Sequence, residues 1–205
     1  MMMKTSDTEF KDLRTVEMAG LKPRQRILKT AYALFNSYGF NNIGIDRIIA
    51  ESGVSKRSFY QYFPSKTDLM GACLDFREAL RFMDLEKRVA LFNDDPKQEI
   101  LAIFDSMYDW FAEEDFNGCA FNRGLNEFNY ADSEPLRKKV DHHFKQWADF
   151  INVRLAKLTT AENSEVLLAQ LLSLVTGAPI IAMISGKREV ALFNKQVAEA
   201  LLSEL

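Results

Sequence analysis

Apolar residues recur along the chain at the three- and four-residue spacing of amphipathic α-helices, whereas no segment alternates convincingly like a half-buried strand. The first predicted helix begins near Pro23, which suits a first helical turn, and ends at Gly39, which can adopt the left-handed conformation. Its buried face comprises Ile27, Ala31, Leu34, Phe35 and Tyr38. The pattern therefore predicts an all-α protein.

Two short helices follow, over about residues 45–52 and 55–63, with Gly53 in the tight turn between them. Ser55 suits the N-cap of the second because its hydroxyl can accept hydrogen bonds from backbone N–H groups. A proline ends that helix, and a long helix is predicted over about residues 66–91. Five further helices bring the total to about nine, over residues 96–111, 119–130, 134–158, 162–185 and 188–202.

The composition agrees with a helical chain and limits its chemistry. Glycine and proline are scarce, at 9 and 5 of 205 residues, whereas a sheet-rich fold with many tight turns needs more of both. Cys73 and Cys119 are too few for a disulfide scaffold and too scattered for a zinc site, which indicates a reduced cytoplasmic protein. The adjacent His142 and His143 have no third ligand at suitable spacing, so neither a metal nor another cofactor is expected. Residues 1–20 lack the apolar core of a signal peptide and are predicted to be a flexible tail.

Residues 166–186 form a run of 21 uncharged residues, long enough to span a bilayer. Polar residues and the central Pro179 make insertion less favourable, so no membrane association is expected. The run is interpreted as a helix that its own domain buries on one side and a partner on the other, with a core helix within a monomer as the alternative. The small residues that suit close helix contact are Ser173, Gly177, Ala178 and Ala182.

The net charge of −3 argues against a nucleic-acid partner only until its distribution is considered. Residues 20–70 carry a net charge of +5, whereas residues 71–205 carry −7. A basic N-terminal module is thus joined to an acidic body, which indicates that a polyanion binds at one end only.

Residues 44–63 combine the features of a helix–turn–helix, namely two short helices, a glycine turn and a hydroxyl cap. Phe59, Tyr62 and Phe63 are expected on the inward face of the second helix. An ordinary helical hairpin with a solvated face is the alternative, but the agreement of cap, turn, charge and apolar spacing favours a DNA-binding motif.

The outward side chains of that second helix suit the major groove of DNA. Lys56 and Arg57 offer positive charge to phosphates or guanines, and Gln61 can hydrogen-bond a base edge. Lys66 and the amide groups that open the next helix can hold a phosphate. Double-stranded DNA is therefore the expected partner.

A longer pattern runs from Arg24 to Leu69. It is carried by Ile27, Leu28, Ala31, Leu34, Phe35, Gly39, Phe40, Ile48, Gly53, Val54, Ser55, Lys56, Phe59, Tyr60, Phe63, Ser65, Lys66 and Leu69. This stretch resembles the DNA-binding domain of the TetR family of bacterial transcriptional regulators. The resemblance implies an all-α homodimer in which each subunit places a recognition helix in one half-site of a palindromic operator.

The resemblance also implies roles for single residues in the DNA contact. Tyr60 and Lys66 are expected at the DNA backbone, and Arg57, Ser58 and Gln61 at the bases. The full set of candidate DNA-binding residues is Gly44, Arg47, Lys56, Arg57, Ser58, Tyr60, Gln61, Tyr62 and Lys66.

The resemblance weakens after Leu69 but continues. Gly118, Cys119, Asn122, Glu127, Pro135, Leu136, Val140 and Trp147 look like the regulatory domain of one branch of the family. This implies that a small molecule controls DNA affinity and that the last two helices form a four-helix dimer interface. The candidate interface residues are Leu174, Gly177, Ala178, Ile181, Phe193 and Val197. The expected division is a tail over 1–20, a DNA-binding domain over 21–81 with its helix–turn–helix at about 44–63, and a regulatory and dimerisation domain over 82–205.

Aromatic residues are concentrated in the middle of the chain, and most are expected simply to fill the core. A subset with polar neighbours can line a largely apolar effector cavity. The candidate ligand-binding residues are Trp110, Phe111, Cys119, Asn122, Phe128, His143 and Trp147. Cys119 lies at a predicted helix start, which lowers a thiol pKa and suits a redox or electrophile sensor, although a small buried residue is the simpler interpretation.

The chain contains no Ser–His–Asp signature, phosphate loop or HExxH motif, so no enzyme is expected. The sequence predicts a cytoplasmic, ligand-responsive DNA-binding transcriptional regulator, a repressor that a largely apolar small molecule releases from its operator. The alternative is a helical ligand- or protein-sensing module without specific DNA binding. The long helix that begins at Lys66 joins both parts and is the expected bending element.

Overall fold

The computed structural model describes residues 12–92, 94–129, 133–203 and 205. Those residues contain nine α-helices and no strand, which confirms the predicted all-α fold class. In chain order the helices are α1 (Pro23–Tyr38), α2 (Ile45–Ser52), α3 (Lys56–Tyr62), α4 (Lys66–Val89), α5 (Pro96–Trp110), α6 (Ala120–Glu127), α7 (Glu134–Leu155), α8 (Ala161–Ser185) and α9 (Val190–Ser203).

Local capping chemistry sets the helix boundaries in the N-terminal half. The Ser55 hydroxyl accepts a hydrogen bond from the backbone N–H of Ser58 at 3.1 Å, and Ser65 does the same for Asp68. Gly53 ends α2 in the left-handed conformation, with φ of 63°. Each of these groups satisfies a backbone donor or acceptor that a helix end leaves without a partner, and this is why the short α2 and α3 form where the sequence predicts them.

The first hydrophobic cluster holds α1, α2, α3 and the start of α4 together. Ile27, Ile48, Phe59 and Leu69, one from each of these helices, are fully buried and belong to this cluster. Phe59 and Phe63 are neighbours on the inner side, with ring centroids 6.3 Å apart. The cluster therefore fixes the orientation of α3, the predicted recognition helix.

The second hydrophobic cluster is formed by the C-terminal part of α4 with α5, α7, α8 and α9. Ile100 and Ile103 of α5 and Leu171 of α8 are among its fully buried members. A buried ion pair joins two helices at its edge, since Nε of Arg154 lies 2.7 Å from the Glu99 carboxylate. Pairing satisfies both charges, which would otherwise be costly to bury.

The boundary between the two clusters does not coincide with the division expected at residue 81. Helix α6 and the beginning of α7 pack into the first cluster through Phe121, Phe128, Leu136 and Val140. Gly124 permits this close approach, because a Cβ there would lie 2.8 Å from a methyl carbon of Val140. The expected regulatory part is thus continuous with the core of the expected DNA-binding part.

Part of the segment expected to be a flexible tail is packed against the protein. Residues 13–15 and 18–20 form two short 3-10 turns, and the Leu13 side chain is buried. Lys29 donates hydrogen bonds to the carbonyl oxygens of Arg14 and Val16, and Arg14 pairs with Glu113 at 2.7 Å. The tail prediction is therefore wrong for residues 12–20; residues 1–11 lie outside the described residues.

Candidate nucleic-acid interface and ligand cavity

Helix α3 presents a polar face to solvent and an aromatic face to the first cluster. Phe59 is fully buried, whereas Lys56, Arg57 and Gln61 are exposed. Among the candidate DNA-binding residues, Gly44, Arg47, Lys56, Arg57, Tyr60, Gln61 and Tyr62 are exposed, and Ser58 and Lys66 are half-buried. These candidates lie at the start of α2, along α3 and at the start of α4.

Tyr62 differs from its expected place on the inward face of α3. Its side chain is 39% exposed, whereas Phe59 and Phe63 are buried. In a helix of 3.6 residues per turn, position 62 turns partly away from a face centred on 59 and 63. The exposed position agrees with its place among the DNA-binding candidates.

The cations of this face differ in how far carboxylates neutralise them. Arg47 donates a hydrogen bond to Glu51 at 2.7 Å, and this bond raises the arginine pKa. Lys56 has a weaker partner in Asp46, at 3.8 Å. Arg57 makes no ion pair within the described part of the chain, so its guanidinium is available to a nucleic acid.

Lys66 opens α4 at the edge of the same face. Its ammonium group donates a long hydrogen bond, of 3.4 Å, to the carbonyl oxygen of Asn41. Burial lowers the Lys66 pKa, and the nearby Glu127 carboxylate opposes that change.

Gly44 has no side chain and stands at the N-cap of α2. No side-chain hydrogen bond caps this helix, and a Cβ at Gly44 would meet nothing within 4 Å. The start of α2 at Gly44 is therefore not crowded by neighbouring side chains.

A cavity lies in the regulatory part, between α4, α5, α6, α7 and α8. Trp110, Cys119, Asn122, His143 and Trp147 line it, as the sequence predicted for these five candidates. The remaining lining residues are Arg77, Arg81, Ile103, Ser106, Met107, Ala120, Phe121, Phe144, Val175, Thr176 and Pro179.

Two candidate ligand-binding residues do not line the cavity. Phe111 packs against Phe116, with ring centroids 4.8 Å apart, in the second cluster. Phe128 packs against Phe40, with centroids 5.0 Å apart, in the first cluster. Their aromatic character predicted burial correctly, but sequence alone does not tell which neighbours bury them.

Sequence reasoning missed the two arginines of the cavity wall. Arg77 and Arg81 lie four residues apart on α4 and therefore share one face of that helix. Cys73 and Phe76 are buried on the neighbouring face of α4. Two arginines at this spacing beside an apolar face could therefore have indicated cations at the edge of the core.

The free space in the cavity is about 40 Å³. Sites that enclose a drug-sized molecule measure roughly 300–1,000 Å³. The cavity in the described conformation is therefore too small for such a molecule, and a larger effector has to move its walls apart.

His143 is the polar centre of the cavity. It is buried, accepts a hydrogen bond from the Trp147 indole N–H at 3.1 Å, and has its Nδ1 atom 3.4 Å from the Glu78 carboxylate. Burial lowers the His143 pKa, but the Cys119 thiol and the Glu78 carboxylate outweigh it, so the pKa lies above its usual value.

The two cysteines have opposite electrostatic surroundings. Burial raises the pKa of the Cys119 thiol, but the neighbouring His143 side chain and backbone N–H groups outweigh this and place the pKa below its usual value. Burial also raises the pKa of Cys73, and there no hydrogen bond opposes it. Cys119 is thus the more nucleophilic thiol, and it lies in the cavity wall.

Helix α6 connects the cavity with the first cluster. On one side Asn122 donates a hydrogen bond to the carbonyl oxygen of Thr176 in α8, at 2.9 Å. On the other side the Arg123 guanidinium donates to the carbonyl oxygens of Phe35 and Asn36, at 2.9 and 3.1 Å. These are carbonyls of the last turn of α1, where a cation also interacts favourably with the helix dipole.

The last two helices expose an apolar face. Ile181 is 52% exposed and Phe193 56%, and Val197 is exposed as well, whereas Leu174 and Gly177 are half-buried. Further exposed apolar side chains on α8 are Val166, Ile180, Met183 and Ile184. Such a contiguous patch is unusual on a monomeric protein and marks an interaction surface.

Ala178 does not belong to that face. It is fully buried within the second cluster, together with Val175 and Ala182 on the same side of α8. Its assignment to the interface is therefore wrong, and the reason is that α8 is apolar all round, so the sequence does not distinguish its two faces.

Helix α8 is long and apolar enough to cross a membrane by length and composition alone. Its most apolar stretch has a mean hydropathy of 2.1, and 28% of that stretch is buried.

In the part of the chain that the structure describes, no group of three or more His, Cys, Asp or Glu residues is arranged to hold a metal ion.

Comparison with known proteins gives consistent similarities. Residues 27–73 match the family model described as bacterial regulatory proteins, tetR family. The HTH-type transcriptional regulator LmrA of Bacillus subtilis (strain 168) is 25% identical over 174 residues, which cover 83% of this chain and 91% of LmrA. The uncharacterized HTH-type transcriptional regulator YxaF of the same organism is 26% identical over 87% of this chain and 90% of its own.

A solved structure supports the similarity over nearly the whole chain. SCO4454, a TetR-family transcriptional regulator from Streptomyces coelicolor, superposes with a TM-score of 0.81 at 25% identity. The superposition covers 89% of this chain and 95% of that protein.

Proposed function

Because the chain belongs to the TetR family of bacterial regulatory proteins, we propose that it represses transcription by binding a palindromic operator as a homodimer. A small molecule in the cavity between α4 and α8 releases it. The observation that carries the proposal is the orientation of α3, whose aromatic face is buried and whose polar, cationic face is exposed.

In the proposed complex each subunit places α3 in the major groove of one half-site. Arg57, Ser58 and Gln61 contact base edges, and Tyr60 and Lys66 contact phosphates. Arg57 is the strongest candidate for base recognition, since it is exposed and free of carboxylate partners among the described residues. The net charge of +5 over residues 20–70 attracts the DNA backbone from any sequence.

A second copy of the chain covers the exposed apolar face of α8 and α9 in this proposal. The two helices from each subunit then form a four-helix interface. This assignment also accounts for the apolar length of α8 without a membrane. We propose that the regulator acts in the cytoplasm, where it meets its DNA.

Effector binding shifts the population between two conformations. The cavity has a free volume of only about 40 Å³, so an effector favours a conformation with its walls apart. Helix α4 forms one wall and begins beside the DNA-binding face, and α6 forms another and holds the last turn of α1. A change in either helix alters the distance between the two recognition helices of the dimer.

Selection of DNA fragments tests this function. Purified protein is incubated with sheared genomic DNA of the source organism at about 150 mM salt, and bound fragments are sequenced. The proposal expects enrichment of a few fragments that share an inverted repeat, with affinity that falls steeply as salt rises. Enrichment of no sequence would support the alternative of a sensing module without specific DNA binding.

A further inference from the structure

We propose that the effector is an amphiphilic anion, with an aromatic or aliphatic body and a carboxylate or similar acidic head that pairs with Arg77. This inference rests on the proposed function for its regulatory meaning, but the binding site itself does not depend on it. It follows from the charges around the cavity, the partners of Arg77 and the apolar walls.

The permanently charged residues that line the cavity are all cations. Arg77 and Arg81 contribute two guanidinium groups, and none of the lining residues is an aspartate or glutamate. The carboxylate of Glu78 is close by, but it faces Nδ1 of His143 at 3.4 Å and does not line the cavity. A cationic effector would find no carboxylate counter-ion among the lining residues, whereas an anionic effector would find a guanidinium.

The two arginines are not equally available. Arg81 is already paired with Glu113 at 3.1 Å and lies over the Trp110 ring. Arg77 forms no ion pair within the described residues; it donates a hydrogen bond to the neutral side-chain oxygen of Asn36 at 2.5 Å and lies over the Tyr32 ring. A partly buried guanidinium without an anion is the natural partner of an acidic ligand group.

The rest of the wall suits the body of such a ligand. Apolar side chains from four different helices surround the same space, namely Met107, Phe121, Phe144, Trp147, Val175 and Pro179. Transfer of an apolar body from water into this wall favours binding, and the guanidinium fixes the orientation of the head.

Arg77 also gives the anion a route to the DNA-binding part. Asn36, which accepts the hydrogen bond from Arg77, lies in α1 and itself donates a hydrogen bond to the carbonyl oxygen of Asp115. An acidic head that pairs with Arg77 competes with Asn36 for the same guanidinium. Ligand binding thus weakens a contact between α4 and α1 that the described conformation makes. A regulatory ligand requires such a difference in its interactions with the two conformations.

The test uses 2-naphthoate and 2-naphthamide, which have the same bicyclic body and differ in charge. Trp110 and Trp147 are the two tryptophans of the chain, and both line the cavity, so quenching of intrinsic fluorescence reports binding there. Calorimetry provides the dissociation constants. We expect the carboxylate to bind the unaltered protein about tenfold more tightly than the amide, because hydrogen bonds to charged partners are the stronger ones.

Variants of α4 assign that preference to Arg77. Arg77→Gln is expected to reduce the preference to less than about threefold while the affinity for the amide stays nearly unchanged, and Arg77→Lys is expected to retain most of it. Arg88→Gln is the matched control, since Arg88 is also on α4 but pairs with Asp84 and Asp109 and does not line the cavity.

Several results would overturn the proposal. Equal affinity of the unaltered protein for both probes would do so without any variant, and so would the absence of binding of either probe at about 1 mM. An unchanged preference in Arg77→Gln would do so as well. DNA binding is measured separately. If the protein prefers the carboxylate but selects no DNA, the anion site is retained and the proposed function is refuted. If the protein selects specific DNA but does not prefer the carboxylate, the proposed function is retained and the anion site is refuted.

Discussion

The carboxylate of Glu127, the last residue of α6, accepts a hydrogen bond from the backbone N–H of Phe40 at 2.8 Å. The same oxygen accepts a second bond from the N–H of Asn41 at 3.0 Å. Gly39 permits this approach, since its φ is 85° and a Cβ there would lie 2.9 Å from the other Glu127 oxygen. The loop between α1 and α2 is therefore held by the helix whose first residues line the cavity.

The first prediction concerns this contact. Glu127→Ala removes the acceptor of two charge-assisted hydrogen bonds, so the amide protons of Phe40 and Asn41 should exchange with solvent roughly tenfold faster or more. Hydrogen exchange with site resolution measures this. Glu162→Ala, at an exposed position in α8, is the control and should change neither amide. Unchanged protection in Glu127→Ala would show that the contact does not hold the loop.

The second prediction separates base recognition from phosphate contact. Arg57→Ala should lower the affinity for the selected operator and reduce discrimination at one base position by about 1–3 kcal/mol. Lys66→Ala should weaken binding to all sequences alike and lower the salt slope by about one unit. Fluorescence anisotropy on operator and shuffled DNA measures both. Arg137→Ala, on the exposed side of α7, is the control, and equal effects from all three substitutions would refute the proposed docking.

The third prediction concerns assembly. Ile181→Glu places a charge on the exposed apolar face of α8 and should convert a dimer into a monomer at micromolar concentration, because an unpaired charge in an interface core is costly. Sedimentation or light scattering gives the mass. Leu91→Glu is the matched control, since Leu91 is an even more exposed apolar residue, 75% exposed, but lies after α4, away from that face. Dissociation by the control alone would place the interface elsewhere.

The fourth prediction follows from the two thiols. The pKa of Cys119 is lowered and that of Cys73 is raised, so at pH 7.4 the thiolate fraction of Cys119 is the larger. Iodoacetamide should therefore alkylate Cys119 first, with a rate that rises with pH through a midpoint below that of an ordinary thiol, whereas Cys73 should react only after unfolding. Peptide mass spectrometry follows both sites in the same sample.

The variant His143→Gln tests whether the imidazole is what lowers the Cys119 pKa. Without the imidazole, the pKa of Cys119 loses its main lowering influence and the rate at pH 7.4 should fall. If His143→Gln leaves the alkylation rate unchanged, the imidazole does not activate the thiol. If Cys73 reacts as fast as Cys119 in the folded protein, the two burial environments are not as described.

The DNA-binding part could be predicted in detail because its signals are local. Gly53, Ser55 and Ser65 act within one turn of their own positions, so the sequence alone places the ends of α2, α3 and α4. Periodicity then identifies the buried face of α3 through Phe59 and Phe63. The other residues of α3 then form its exposed face. Tyr62 lies at the border between the buried and the exposed face.

The cavity was harder to predict because its walls come from distant parts of the chain. Phe128 meets Phe40 across more than eighty residues, and no local pattern distinguishes this contact from a place in the cavity. The buried face of helix α8 was also hard to predict. Because the helix is apolar all round, its sequence does not show that Ala178 faces inward and Ile181 outward. The packing of residues 12–20 likewise depends on contacts of Arg14 with Lys29 and with the distant Glu113. Both partners lie outside the segment, so its own sequence does not predict the packing.

Recognition of a specific DNA sequence by this chain is measured by the specificity ratio of the dimer. The dissociation constants for the best selected fragment and for the same fragment with shuffled half-sites are measured by anisotropy at about 150 mM salt. We expect the selected fragment to bind at least about a thousandfold more tightly. Equal affinities for the two fragments would contradict it.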